Sequence, residues 1–247
     1  MAPTPDSPSL TQRKITGEAQ ILSQIFESVD WTSCPRTYNF HMHTVCSDGR
    51  LTPSALMEQV IDIGLQAFAI TDHHTLQGFN QAKAWLEDWR WHHPTLLRRS
   101  VHHHPLGDRV PRLFTGIEIT ALLEDLEVHI LGYGFYPGHA ALDTYLQNYG
   151  CRKDLHSARQ VIKAIQTAGG LAVLAHPGRY RLDIETTVAQ AAAAGIDGIE
   201  AYYAYSNPDC WQPCARSTPV AIDLAHQYNL FTTCGTDTHG QSLLRRL

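Results

Sequence analysis

The apolar positions change period several times along the chain, and the changes mark its elements. From Ile15 to Val29, the residues Leu22, Ile25, Phe26 and Val29 recur at helical spacing. After Pro35 the period shortens. "TYNFHMH" reads as a strand, with His41 and His43 on one face. Thr52-Pro53 then supplies the cap and first-turn proline of a helix that Gly64 closes. "LQAFAIT" is a second strand, "DHHT" its exit, and a helix is expected from Phe79 to Trp89. "RLFTGIEI" and "EVHILGYGF" are strands, and Asp154 to Ala168 is a helix closed by Gly169-Gly170. "LAVLAHP" is a strand ending at a His-Pro, Ile184 to Ala194 an alanine-rich helix, and "GIDGIEAYY" a strand. Thr218-Pro219 opens a helix reaching Gln227, and "LFTTCGTDTHG" is the last strand and its exit.

Two stretches carry no period. Residues 1–14 are rich in Pro and Ser and read as a loose tail, which with the first helix makes an N-terminal segment over 1–36 ahead of one domain over 37–247. Residues 90–111 read as a long loop. Its His92, His93, His102, His103 and His104 read as solvated, while Arg90, Arg98, Arg99 and Arg109 are candidates for holding an anionic substrate near a site mouth.

Short apolar strands alternating with helices indicate an α/β protein whose sheet is parallel and covered on both faces. About seven such strands suit a closed or nearly closed barrel, with an open doubly wound sheet as the alternative. No GxGxxG follows the first strand and no GxxxxGK[ST] occurs, which argues against dinucleotide and P-loop chemistry.

Composition narrows the picture. The chain has 247 residues, of which 43% are hydrophobic, enough for one sizeable core. A net charge of −5 leaves no electrostatic footprint for long duplex DNA. The N-terminus lacks the apolar core of a signal peptide and no apolar run is long enough for a bilayer, so a cytoplasmic protein without a membrane is expected. Its six cysteines are then reduced thiols, and "CWQPC" lacks the spacing of a zinc ribbon.

Candidate chemistry lies in or just after the strands. His41, His43 and Asp48 belong to the first, Asp72 and His73 to the second, Glu118 to the end of the third and His129 to the fourth. His176, Glu200, Asp237 and His239 follow at later strand exits, the end at which α/β barrels build their sites. Any one of these suits an ordinary loop cap. Together they would be destabilised by desolvation and like-charge repulsion unless cations joined them. Mixed imidazole and carboxylate donors suit Zn, Mn or Fe.

With "HMH…SDG", "ITDHHT", "GIEI", "EVHILGY", "AHP" and "GTDTHG", the chain resembles the polymerase and histidinol phosphatase (PHP) family of phosphoesterases from Tyr38 to Gly240. The resemblance implies a distorted TIM-like (β/α)7 barrel holding up to three divalent metals. It implies a first site of His41, His43, Glu118 and Asp237, a second bridged by Glu118 with His129 and His176, and a third of Asp48, His73 and His239. Asp72 and Glu200 would orient ligands. Hydrolysis of a phosphate ester by a hydroxide bridging two metals is implied, with His41, His43, Glu118, His176 and Asp237 catalytic. Arg179, just past His176, either pairs with the substrate phosphate or is a surface arginine after a turn, and Tyr202 either contacts substrate or packs. Tyr203 and Tyr205 either line the pocket or pack. The expected substrate is a small phosphomonoester, nucleotide or oligonucleotide 5′ end, and no protein partner is implied.

Two departures stand out. His74 takes the place of an Asp found in many relatives. The stretch between His129 and His176 is also short, where relatives acting on nucleoside bisphosphates or RNA 5′ ends carry an insertion. Two other readings use the same residues. An amidohydrolase also begins with HxH but often bridges its metals through a strand-end lysine, which this sequence lacks. A non-catalytic metal or docking module is the other.

Overall fold

The computed structural model describes residues 13–94, 110–146 and 156–247. The elements in chain order are α1 (Gly17–Phe26), β1 (Tyr38–Asn39), α2 (Pro53–Ile63), β2 (Ala67–Ala69), α3 (Gln77–His92), β3 (Arg112–Phe114), β4 (Gly116–Leu123) and β5 (Leu126–Tyr133). They continue with β6 (His156–Ser157), α4 (Ala158–Thr167), β7 (Leu171–Leu174), α5 (Ile184–Ala194), β8 (Gly198–Tyr202), α6 (Ser217–Tyr228) and β9 (Phe231–Cys234). The strands form a sheet of order β1-β2-β3 and a second of order β6-β4-β5-β7-β8-β9.

Backbone bonds join the two sheets at both ends. Phe40 N–H donates to Cys234 O at 3.0 Å, Asp237 N–H to His41 O at 2.8 Å and His43 N–H to Thr238 O at 3.1 Å. At the other junction Glu118 N–H donates to Asp72 O and His74 N–H to Glu118 O. The histidine pair therefore leaves β1 as an extended segment held between two neighbours.

Several elements follow directly from their caps. Thr52 Oγ1 accepts from Ala55 N–H, and Gly64 ends α2 with φ 79°, a left-handed conformation that suits glycine. Asp183 caps α5 in the same way and Gly195 closes it. Ala19, Leu22 and Phe26 of α1 are buried, and Phe26 meets Phe40 edge-to-face at 5.1 Å, so α1 packs on the core under the first histidine.

Five expectations need correction. The sheet is mixed, because β5 runs antiparallel to both β4 and β7. A tight turn at Glu124-Asp125, with Glu124 at φ 52°, folds β4 and β5 into a hairpin without the glycine or asparagine that usually announces one. "RLFTGIEI" is two strands, because Thr115 gives its N–H and hydroxyl to the Glu18 carboxylate instead of to the ladder. Glu118 consequently stands inside β4 rather than at a strand end. Finally, α3 runs on to His92, with Trp85, Trp89 and His93 stacked at four-residue spacing along it. The helix expected from Asp154 starts at Ala158, after a short strand and a Ser157 capping box.

Candidate metal centre

Glu118 lies at the middle of the cluster, and its two oxygens serve different imidazoles. Oε2 is 3.0 Å from His43 Nε2, 3.2 Å from His41 Nε2 and 3.5 Å from His73 Nδ1. Oε1 is 2.7 Å from His129 Nδ1 and 3.6 Å from His176 Nε2. Asp237 Oδ1 is 3.3 Å from each of His41 Nε2, His43 Nε2 and His239 Nδ1. Asp48 Oδ2 is 3.2 Å from His239 Nε2 and 3.6 Å from His73 Nε2. The ligand residues expected from the sequence therefore lie in one continuous cluster.

Four overlapping groups have donor atoms within 4.8 Å of one another: His41, His43 and Asp237; His41, Glu118 and His176; His73, Glu118 and His129; and His43, Asp48, His73 and His239. The donor set fits divalent metals on a further observation. His43 Nε2, Glu118 Oε1, His129 Nδ1 and His176 Nδ1 are buried without a hydrogen-bond partner. Buried polar atoms are rarely left so. Several approach one another closely yet fail hydrogen-bond geometry, as donors aimed at a shared cation would.

Backbone and neighbours fix these side chains. His176 and Asp237 adopt positive φ, 28° and 52°, strained for residues other than glycine and typical of functional sites. A Cβ on Gly235 would stand 2.2 Å from His41 Cβ, so only glycine lets the β9 exit approach the first histidine. Glu200 accepts from the His176 N–H at 2.9 Å, and its Oε1 lies 3.0 Å from His41 Nδ1, which leaves His41 Nε2 to face the cluster. Asp72 acts through a turn: it accepts from Thr44 N–H, Thr44 Oγ1 and Ser47 Oγ, each at 2.7 Å, and so holds the loop that carries Asp48. His74 turns away. Its Nε2 accepts from Thr120 N–H and its Nδ1 lies 3.2 Å from Tyr145 O.

Charge is strongly redistributed. Burial opposes protonation of His41, yet Glu200, Glu118 and Asp237 hold its pKa well above the usual imidazole value. Burial opposes protonation of His43 as well, but the nearby Asp237 and Glu118 carboxylates outweigh it and raise its pKa to about 9. His73 is pushed down to about 3, first by burial and then by His43 and His129. Burial would raise Glu118 and Asp237, but the surrounding imidazoles hold both well below the carboxylate range. Burial would also raise Asp48, but His239, His43 and His73 bring it to about 2.

The proposed substrate contacts separate. Arg179 NH1 pairs with Asp237 Oδ2 at 3.0 Å. Tyr202 is not brought to the cluster; it packs edge-on against Trp31 at 6.0 Å. Tyr203 takes its place, donating to Asp237 Oδ2 at 2.7 Å. Strict alternation from Glu200 selects Tyr202, but a register shift between Glu200 and Tyr202 moves the next tyrosine inward. Tyr180 was also missed: its hydroxyl accepts the His129 N–H and donates to Ala175 O. Arg246 reaches Asp237 Oδ2 at 2.8 Å with no local sequence signal. Arg90 lies in the last turn of α3, whose first turn is beside the site, roughly 20 Å away along the helix. Arg98, Arg99, Arg109 and His102, His103 and His104 lie outside the described residues.

The PHP domain model matches residues 39–121, which span "HMH", "DHH" and Glu118. The 5′-3′ exoribonuclease Rnm of Salmonella typhimurium is 24% identical, covering 82% of this chain and 85% of the relative. A phosphoribosyl 1,2-cyclic phosphate 1,2-diphosphodiesterase of Eggerthella lenta is 26% identical, covering 82% and 94%. Among solved structures, a metal-dependent phosphoesterase from Bifidobacterium adolescentis superposes with TM-score 0.63 at 22% identity, covering 84% of this chain and 89% of that one. An amidohydrolase from Chromobacterium violaceum gives TM-score 0.63 at 20% identity, covering 83% and 88%, and speaks to the fold alone.

The class these findings define is that of hydrolases acting on phosphate esters, with a PHP domain match over residues 39–121. Within it, the chain is similar to the exoribonuclease Rnm and to the cyclic-phosphate diesterase. The Rnm alignment runs over 273 positions, more than this chain's 247 residues, so the relative carries segments that this chain lacks. Among the described residues no helix is long and apolar enough to cross a membrane.

Proposed function

We propose that the protein hydrolyses a phosphate ester of nucleotide type, a nucleotide or the 5′ end of a short oligonucleotide, at a centre of up to three divalent metals. The observation that carries this is Glu118, whose two oxygens divide five imidazoles between them while Oε1 lacks a hydrogen-bond partner. That arrangement suits a carboxylate bridging two metals. His41, His43 and Asp237 would complete one site, His129 and His176 a second, and Asp48, His73 and His239 a third, with Mn, Zn or Fe as the ions.

Bound divalent cations supply charge neutralisation at the phosphoryl oxygens and lower the pKa of water at the site. The chain supplies the rest. Glu200 fixes the His41 ring, Asp72 fixes the Asp48 loop, and Tyr203 and Arg179 hold the outer oxygen of Asp237. The bonds joining the two sheets support a distorted (β/α)7 barrel, with 1–36 as an N-terminal segment on a domain over 37–247. Five described cysteines, all unbridged, suit a reducing cytoplasmic setting. The substrate class rests on the relatives' activities toward RNA and a phosphoribosyl cyclic phosphate.

The test is a panel of nucleotides, short 5′-phosphorylated RNAs, other phosphomonoesters and amides on Mn-loaded protein, scored by kcat/KM. Turnover of phosphoesters without amide cleavage is expected. Amide cleavage alone would assign the centre to C–N hydrolysis, and no turnover with full metal content would make it a binding module.

A further inference from the structure

Asp237 divides its carboxylate between two tasks. Oδ1 faces His41, His43 and His239. Oδ2 takes Tyr203 OH at 2.7 Å, Arg246 Nε at 2.8 Å and Arg179 NH1 at 3.0 Å. Two guanidinium groups thus converge on a single oxygen.

Their positions are set by the backbone. Arg179 belongs to the turn after β7. Arg246 belongs to a segment folded back on the β9 exit: its carbonyl accepts from His239 N–H at 2.7 Å and Gly240 N–H at 3.0 Å, and Arg245 O accepts from Thr238 Oγ1. Leu243 anchors that segment, fully buried and with its N–H on Gln59 Oε1. A surface arginine pairing by chance would not be held so.

One buried carboxylate cannot neutralise two guanidinium groups, least of all once its other oxygen binds a cation. Two like charges held together in a partly buried setting call for a further anion. Both arginines keep donors for one. The Arg179 contacts use NH1 alone and its side chain is 38% exposed, while Arg246 meets Asp237 through Nε and is 18% exposed. A phosphoryl group matches the planar guanidinium fork.

We propose that Arg246 is a substrate-binding residue, forming with Arg179 a two-arginine seat for the substrate's phosphate that favours a terminal phosphate over an internal diester. A terminal phosphate carries about −1.5 to −2 charge near neutral pH and a diester about −1, so two guanidinium groups favour the former. The proposal rests on the phosphoesterase reading above.

The experiment measures binding of inorganic phosphate to Mn-loaded full-length protein by calorimetry, together with metal content and kcat and KM for a mononucleotide and a dinucleotide diester. Arg246→Ala is expected to weaken phosphate about tenfold or more, with metal content unchanged and the KM increase concentrated on the monoester. Arg246→Lys, which keeps the charge without the fork, should recover part of that affinity. Phosphate affinity within about twofold of wild type would overturn the proposal, since a charge-assisted contact is worth more than that. So would a loss of metal that accounts for the whole effect, because Arg246 would then only hold Asp237. If Arg246→Ala does not fold, Arg246→Lys decides: weaker phosphate with full metal supports the seat, and unchanged phosphate removes it. Wild-type protein that binds phosphate yet cleaves no ester would reject the phosphoesterase reading and leave the seat standing.

Discussion

Glu118 Oε1 lies 2.7 Å from His129 Nδ1 on one face of the β4–β5 hairpin, yet the two atoms share no hydrogen bond. Contact without alignment is what two ligands of a common ion require. Glu118→Gln keeps the shape and removes the charge that the imidazoles face. Metal content by elemental analysis should fall, and kcat should drop by more than about 100-fold, beyond the 10–100-fold typical of outer contacts. A variant with full metal and full turnover would remove Glu118 from the centre.

Glu200 touches His41 and the His176 backbone and lies on the far side of His41 from the other ligands. Glu200→Gln should therefore weaken metal affinity about 10–100-fold, measured by chelator competition, while the fold persists. Unchanged affinity would show that the His41 ring needs no such support.

Proton release should accompany metal loading. In chelator-treated protein the pKa of His41 stands well above the usual value and that of His43 at about 9, so both carry protons at neutral pH. A metal needs the neutral imidazole and must displace those protons, so affinity should rise with pH from neutrality up to about 9. Titration with a pH indicator in weak buffer measures the release. Affinity that stays flat from about pH 6 to 9, with no protons released, would contradict these charge states.

Gly235→Ala tests the joint between β9 and the first histidine. The added methyl meets His41 Cβ at 2.2 Å, so the two segments must part. Overpacking of this kind costs about 1–3 kcal/mol. Thermal unfolding should shift down by several degrees, with metal affinity falling in parallel. A variant as stable as wild type would show that the joint yields freely.

The residues themselves determined the elements and the ligand inventory. The Thr52 and Gly64 caps act within a few residues, so α2 was legible to its ends, and the alanine-rich run of α5 marked that helix. Histidines and carboxylates recurring around apolar strands marked the candidate cluster for the same local reason, while their division into ligands and supporting residues came from the family resemblance. Only tertiary structure decided what depends on distant partners. The β4–β5 hairpin reversed a strand that the apolar run made parallel, since apolar content reports burial and carries no direction. A register shift in β8 exchanged Tyr202 for Tyr203, because one displaced residue turns the next side chain to the other face. Arg246 came to Asp237 through a chain reversal that no spacing encodes. Local periodicity fixes which residues share a face, but only the packed sheets decide which faces meet.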